Sequence, residues 1–512
     1  MEEVAVGLDI SFKLGPALLM IGIIALFVIV GITRKVVDVD DYWVAGRSVG
    51  AIENGMAIGG NWMSAASFLG MAGTIGLLGF FGLAYIVGWT TGYFILLIFM
   101  ATQIRKYGKY TAPDFIGDRY YSNWARGIAA VTTVIIGFVY AVAQYRGIAL
   151  MFGYIFGMEY STGVIVGTIA VISYILLAGM LGVTRNQAIQ YAILIIAYLI
   201  PLFLIASRLG YFAAIPQIGY GAAVSDVTTE IAREFSEPFA NAGVYQWIAL
   251  AFTMIVGTCG LPHVLTRFYT VKDEKTSRWS CVWGLFFICV LYWSAPAYAT
   301  FGNMLNFDIN SIYPVTSEMA DVIVVIAAQF ADLPQFIVGA LAAGAVAASF
   351  STTSGLFMAA SAGVSHDLFT SIIKPDATEK QQLVVARLTT LGLGVAVTIV
   401  ALNPPALIAD LVGMAFAIAG STIFPVFFLG LWWERTTKEG AIVGMLVGLV
   451  ISLTALFMRG HAFWDTWIPA TSSAIVAAPL AFIIIIIVSK LTSPPPEEVR
   501  MMVRKVHSPT HQ

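Results

Sequence analysis

Polar residues interrupt this chain so seldom that its apolar positions form thirteen long blocks, at roughly 15–33, 49–77, 80–102, 124–156, 160–181, 187–206, 244–266, 281–302, 334–362, 386–402, 406–432, 440–458 and 468–489. About 20 residues of helix are needed to cross a ~30 Å hydrocarbon core, so the pattern predicts an all-α polytopic membrane protein with about thirteen transmembrane helices. The second block departs from the rule of Leu, Ile and Val. Glycines at 55, 59, 60, 70 and 73, with Asn61 and Ser64 among them, remove side-chain packing and put polar atoms at membrane depth. A helix broken midway is expected there, and such a break is tolerated only where it lines a cavity. Its freed carbonyls suit a cation, while the N-terminus of the following half-helix attracts an anion. Asn61, Trp62 and Ser64 are therefore substrate candidates, although an aromatic beside a break is as often plain packing.

The ninth block carries the second polar run, Gly344 to Gly355. Ala348, Ser351 and Thr352 fall at i, i+3 and i+4, on one helix face. Two hydroxyls and a carbonyl would then converge on a hard monovalent cation. Alternatively, the hydroxyls bond back to their own i−4 carbonyls or pack against a neighbouring helix.

Composition agrees with the pattern: 59% of the 512 residues are hydrophobic and 11% charged, with mean hydropathy +0.85, outside the range of soluble domains. The net charge of −2 hides an asymmetry. With the N-terminus outside, 22 of the 27 Lys and Arg fall in cytoplasmic segments, and only Lys13, Arg146, Arg208, Arg233 and Arg459 do not. The positive-inside rule thus favours an outside N-terminus, a cytoplasmic C-terminus and a place in the cytoplasmic (inner) cell membrane. The basic residues form no cluster that tracks phosphates, so nucleic acid is not an expected partner.

Residues 1–13 lack a basic n-region, which makes the first block a spanning helix rather than a signal peptide. The stretch from Ser493 to Gln512 reads as a short disordered tail with no appended domain. Three cysteines without paired spacing form neither a zinc site nor a disulfide framework. No P-loop, H-E-x-x-H or G-x-S-x-G occurs, so neither ATP-driven transport nor an enzyme is expected. Ion coupling remains.

Four stretches resemble the sodium:solute symporter family over roughly residues 40–450. Asp41-Tyr42-Trp43-Val44-Ala45-Gly46-Arg47 is similar to its D-Y-x-x-A-G-R. Arg105 with Thr111-Ala112-Pro113-Asp114-Phe115 is like its basic loop ending in T-x-P-[DE]-[FY]. Gly430 to Gly448 fits its G-[LIVM]-x3-[KR]-x4-G-A-x2-G-[LIVM]-[LIVM]-x-G. Gly257-Thr258-Cys259-Gly260-Leu261-Pro262-His263 with Arg267 and Val271 looks like the stretch of its acetate and short monocarboxylate branch.

The resemblance implies a LeuT-type core of two inverted five-helix repeats, at 49–211 and 244–432. Around it stand an N-terminal segment (1–48), two peripheral helices (433–490) and a tail (491–512). It implies alternating access with Na+ as coupling ion and no organic cofactor. Carried over by position, the sodium ligands are the carbonyls of Gly60, Met63 and Ala348 and the hydroxyls of Ser351 and Thr352. One departure stands out: Gln187 occupies the place of an acid in many members. A small organic anion, Na+ and the lipid bilayer are the expected partners, with an accessory membrane subunit left open. A sodium/proline or other amino-acid symporter is the alternative, and a transporter-like sensor a lesser one.

An anionic substrate needs compensation at membrane depth. Arg146 interrupts an apolar run and, like Gln144, is a candidate contact. Yet Arg146 follows Arg126 by 20 residues, about 30 Å of helix, where an arginine could equally snorkel to the outer interface. His263, Arg267 and Gln187 are expected in gating or packing.

Overall fold

In an apolar medium each backbone N–H and C=O must be bonded within the protein, and a helix does this locally. The computed structural model describes residues 11–32, 43–177, 180–230, 235–239, 242–310 and 317–508, and every element among them is helical. Expectations resting on residues 1–10, Arg34, Lys35, Asp41, Tyr42, Arg233 and residues 509–512 fall outside these. The tail expected to be disordered instead carries a helix, Glu497–His507, because Arg504 pairs with Glu434 at 2.8 Å and His507 lies 2.9 Å from the Leu431 carbonyl. Each apolar block contains helix: α1 (Leu14–Ile32), α2 (Ala51–Trp62), α3 (Met71–Leu78), α4 (Leu83–Phe99), α5 (Asn123–Phe156), α6 (Tyr160–Leu177), α7 (Met180–Arg208), α8 (Gly243–Gly260), α9 (Glu274–Asn310), α10 (Gln335–Ala362), α11 (Glu379–Ala401), α12 (Ile408–Ser421), α13 (Ile423–Trp432), α14 (Lys438–Phe457) and α15 (Ala474–Leu491). Ten helical runs are long and apolar enough to cross a membrane among the described residues, and the apolar stretches 14–30 and 160–173 are shorter. The count differs from thirteen partly because the second block is divided: α2 stands alone and residues 66–99 form one qualifying run.

The packing order places the broken segment at the centre. α2 lies against α7 and α9, α5 against α10 and α12, and α8 between α4 and α12, while α14 and α15 pack on each other at the side. Small residues permit the closest of these approaches. At Gly448 a methyl group would overlap the carbonyl oxygen of Ser421, so α14 can touch α12 only with glycine there.

The loop stretches that resemble the family meet in space. Thr111 caps the short helix Ala112–Arg119 by accepting from the Asp114 N–H at 2.9 Å. At the other end of that helix, buried Arg119 donates to the carbonyls of Gly430 (2.8 Å), Trp433 (2.9 Å) and Thr436 (3.3 Å), where α13 leaves its last acceptors unsatisfied. On the same side of α9, Arg105, Lys106, Lys272, Lys275, Arg278 and Lys505 line one open cavity of about 1170 Å³.

Replacing Gly448 by Val is expected to cost about 1–3 kcal/mol through overpacking. It should appear as an earlier melting transition of the purified protein in detergent. Gly392→Ala, where a methyl meets nothing within 4 Å, should melt no earlier than the parent.

Candidate functional site

The helix of the second block ends where its amides find other acceptors. Met63 takes φ −69°, ψ 82°, outside the helical region. The Ser64 N–H donates to the Trp62 carbonyl at 2.8 Å instead of to Gly60. The Ala65 N–H donates to Gln144 Oε1 at 2.8 Å instead of to Asn61, and the Asn61 carbonyl accepts from Thr352 Oγ1 at 2.8 Å. Ser64 Oγ accepts from the N–H groups of Ala66 (3.2 Å) and Ser67 (3.4 Å), acting as the cap of the second half-helix. A π-helical turn, Ala66–Gly70, follows, and Ser67 bonds the Tyr292 hydroxyl at 2.9 Å.

Opposite the break stands the polar face of α10. Ala348, Ser351 and Thr352 are fully buried. Gly60 packs so closely that a methyl would overlap the Gln187 carbonyl oxygen and lie 3.3 Å from Ser351 Oγ. Ser351 Oγ is buried with no hydrogen-bond partner, and so is Gln187 Oε1. The Gln187 amide nitrogen is engaged: it donates to the Ser351 carbonyl (2.8 Å), Asn61 Oδ1 (3.1 Å) and Ser354 Oγ (3.2 Å). Gln187 therefore joins α7 to both halves of the site. These two orphaned oxygens, with the Gly60 carbonyl released by the break, give hard oxygen lone pairs that suit a small hard cation.

A second interruption faces the first. α8 ends at Leu261 (φ −71°, ψ 116°), and the short helix Pro262–Leu265 continues the chain. Asn61 Nδ2 donates to the His263 carbonyl at 3.4 Å, and Asn54 Nδ2 to the Arg267 carbonyl at 3.1 Å. Arg267 also reaches Thr184 Oγ1 at 2.9 Å. The Gly-Leu-Pro-His stretch thus touches the broken helix itself, and is more than a remote loop. Trp62 is enclosed by Tyr93 (ring centroids 4.6 Å), Phe416 (5.5 Å) and Trp89 (6.2 Å). Gln144 is fully buried, and its Nε2 has no partner.

Arg146 stands apart from this cluster in its bonding. Its Nε lies 2.6 Å from Asp321 Oδ2, and its Nη1 donates to the Ala406 carbonyl at 3.0 Å. Asp321, 2% exposed, also accepts from the Ile408 N–H at 3.2 Å, at the start of α12. Burial pushes the Asp321 carboxyl above the usual range, opposed by Arg146 and the Ile408 amide. The charge of Arg146 is met inside the protein, rather than by snorkelling to water. Sequence reading passed over Asp321; its signal was an acid set among Met319, Ala320, Val322 and Ile323.

The comparisons with known proteins agree with this architecture. A model of the sodium:solute symporter family matches residues 42–448. An uncharacterized symporter of Bacillus subtilis is 30% identical, covering 91% of this chain and 92% of its own. Another of Cupriavidus necator is 29% identical, covering 84% and 83%. Among solved structures, the substrate-bound outward-open state of a Na+-coupled sialic acid symporter matches with TM-score 0.76 and 16% identity, over 94% of this chain and 99% of that one. Mhp1, a nucleobase-cation-symport-1 family transporter in a closed conformation with bromovinylhydantoin bound, matches with TM-score 0.54 and 12% identity, over 91% and 98%. At these identities the likeness is one of fold, the LeuT-type fold.

Removing Arg146 leaves a buried carboxylate without its counter-charge, which costs about 3–5 kcal/mol. Arg146→Met should therefore sharply lower the melting temperature, and adding Asp321→Asn should restore most of the loss. No recovery in the double variant would mean that Arg146 does something other than balance Asp321.

Proposed function

The chain belongs to the sodium:solute symporter family, and on that premise we propose that this multi-pass membrane transporter carries a small monocarboxylate such as acetate together with Na+ by alternating access. It does so in the cytoplasmic membrane, with its N-terminus outside. The coupling ion is held by the carbonyls of Gly60, Met63 and Ala348 and the hydroxyls of Ser351 and Thr352. The observation that carries the ion assignment is the buried, partnerless Ser351 Oγ set against Gly60 beside the helix break. A buried hydroxyl without a partner costs about 1–3 kcal/mol, and a cation relieves that cost. Gln187, neutral where many members carry an acid, contributes an oxygen dipole through its orphaned Oε1.

The substrate carboxylate is received at the start of the second half-helix. The amides of Ala65, Ala66 and Ser67 point there and are now met by neutral oxygens of Gln144 and Ser64. A carboxylate in place of those acceptors gains from the half-helix dipole. Gln144 Nε2, buried and unbonded, supports this reading as a ready donor to the anion. Asn61 and Ser64 complete the polar side, and Trp62 with Phe416 forms an apolar wall against the substrate's alkyl group. Arg146, engaged by Asp321, takes no part. Since the ion and the anion share α2 and its break, each lowers the cost of the other's burial, and that mutual gain is coupling.

Uptake of labelled acetate into proteoliposomes should require an inward Na+ gradient and fail when K+ replaces Na+ at equal membrane potential. Uptake of proline but not acetate under the same Na+ gradient would move the substrate to the amino-acid class. The double variant Ser351→Ala, Thr352→Ala should lose Na+ activation. Gln144→Leu should raise the acetate KM roughly ten- to a hundredfold, the loss of a hydrogen bond to a charged group, while Na+ activation persists.

A further inference from the structure

Far from the break, α10 continues into a π-helical segment, Gly363–Ile373, that carries His366 and Asp367. From Thr352 to His366 is about 21 Å along the helix. There the segment meets Asp114 of the short helix Ala112–Arg119, and one ligand atom from each of Asp114, His366 and Asp367 lies within 4.8 Å of the other two. Asp367 is fully buried. Its Oδ2 accepts from Thr111 Oγ1 at 2.8 Å, while its Oδ1 is buried with no partner. Asp114 Oδ1 is held by Arg126 at 3.1 Å, and its Oδ2 lies 3.5 Å from His366 Nε2.

His366 is oriented from behind. Its Nδ1 lies 3.3 Å from the side-chain amide nitrogen of Gln382 on α11, an amide whose oxygen and nitrogen are interchangeable by a half-turn. With the amide turned so that its oxygen accepts from Nδ1–H, the Nε2 lone pair faces the two carboxylates, the arrangement typical of a ligating histidine. One imidazole and two carboxylates fit a borderline divalent ion better than Na+ or Mg2+. Asp367, whose Oδ1 is buried without a partner, belongs to this set, and a cation would relieve that orphaned oxygen.

We propose that Asp114, His366 and Asp367 form a binding site for a divalent transition-metal ion of the Zn2+ class, separate from the Na+ site on the same helix. Its occupancy clamps the Ala112–Arg119 helix to α10 and so restrains the helix that carries Ser351 and Thr352. The site is a regulatory input, independent of which solute is carried.

Purified full-length protein without a histidine tag, dialysed against micromolar Zn2+, should retain one equivalent per chain by elemental analysis. Co2+ as a probe should give a visible absorption band. His366→Gln and Asp367→Asn should each weaken binding at least tenfold, while His461→Gln, at an exposed position, should bind as the parent does. Absence of binding by the parent, or equal binding by both site variants, overturns the site. If Asp367→Asn fails to fold, the partly exposed His366 decides the matter alone. Zn2+ on both sides of proteoliposomes should slow Na+-driven uptake in the parent and not in His366→Gln. Unchanged uptake by metal-loaded parent protein would overturn the clamp while leaving the binding result and the symport reading standing.

Discussion

The break at Met63–Ala65 is the constraint on which the rest of the interior depends. Interrupting a helix away from water releases amides and carbonyls that cost several kcal/mol each if left bare. Each neighbouring element therefore supplies a partner. α5 brings Gln144 to the Ala65 N–H, α10 brings Thr352 to the Asn61 carbonyl, and α9 brings Tyr292 to Ser67. α7 brings Gln187 to Asn61 and Ser351 together. These polar contacts fix the rotation of each helix about its own axis, which apolar packing alone specifies weakly. The same contacts leave a few atoms over: Ser351 Oγ, Gln187 Oε1 and Gln144 Nε2. These oxygens and this amide nitrogen stand at the break itself, where partners that come and go could meet them.

How far the sequence foretold this varies with distance along the chain. The break was legible from Gly59, Gly60, Asn61 and Ser64, because the loss of apolar side chains and the gain of polar ones occur within a few residues. The face shared by Ala348, Ser351 and Thr352 was legible from helical spacing. What caps the break was not, since Gln144 lies 79 residues from Ala65 and no local pattern pairs them. Arg146 was recognised as costly, but its counter-charge Asp321 lies in a short connecting segment whose position only the fold sets. The cluster of Asp114, His366 and Asp367 was passed over for the same reason. Asp114 was read as part of a loop stretch, and nothing local says that a helix end some 250 residues later folds against it.

Several charges inside this protein are met at helix termini. Arg119 meets the carbonyls ending α13, Asp321 meets the amide beginning α12, and Arg146 joins the latter. Arg119 and Asp321 sit where a helix terminus presents the opposite partial charge, and Arg146 is balanced by Asp321 instead. The macrodipoles thereby offset part of the desolvation that would otherwise make buried charges prohibitive. Asp367 differs, with one oxygen satisfied by Thr111 and the other by nothing.

The lengths of the bonds around α2 also divide its surroundings. Toward α10 the helix is held at 2.8 Å by Thr352 to the Asn61 carbonyl, and toward α7 at 3.1 Å by Gln187 to Asn61 Oδ1. Toward the segment 261–271 the ties are 3.4 Å for Asn61 to His263, 3.3 Å for Thr270 to Asn54 and 3.4 Å for the Val49 amide to Thr270, with only Asn54 to Arg267 shorter at 3.1 Å. α2 is thus tied by one short bond to the helix that carries Ser351 and Thr352 and by several longer ones to that segment. Under the proposed symport, an ion bridging α2 and α10 would add to the first tie and leave the others as they are. The break therefore gathers its partners from separate elements, so a change at any one of them is felt by α2 directly.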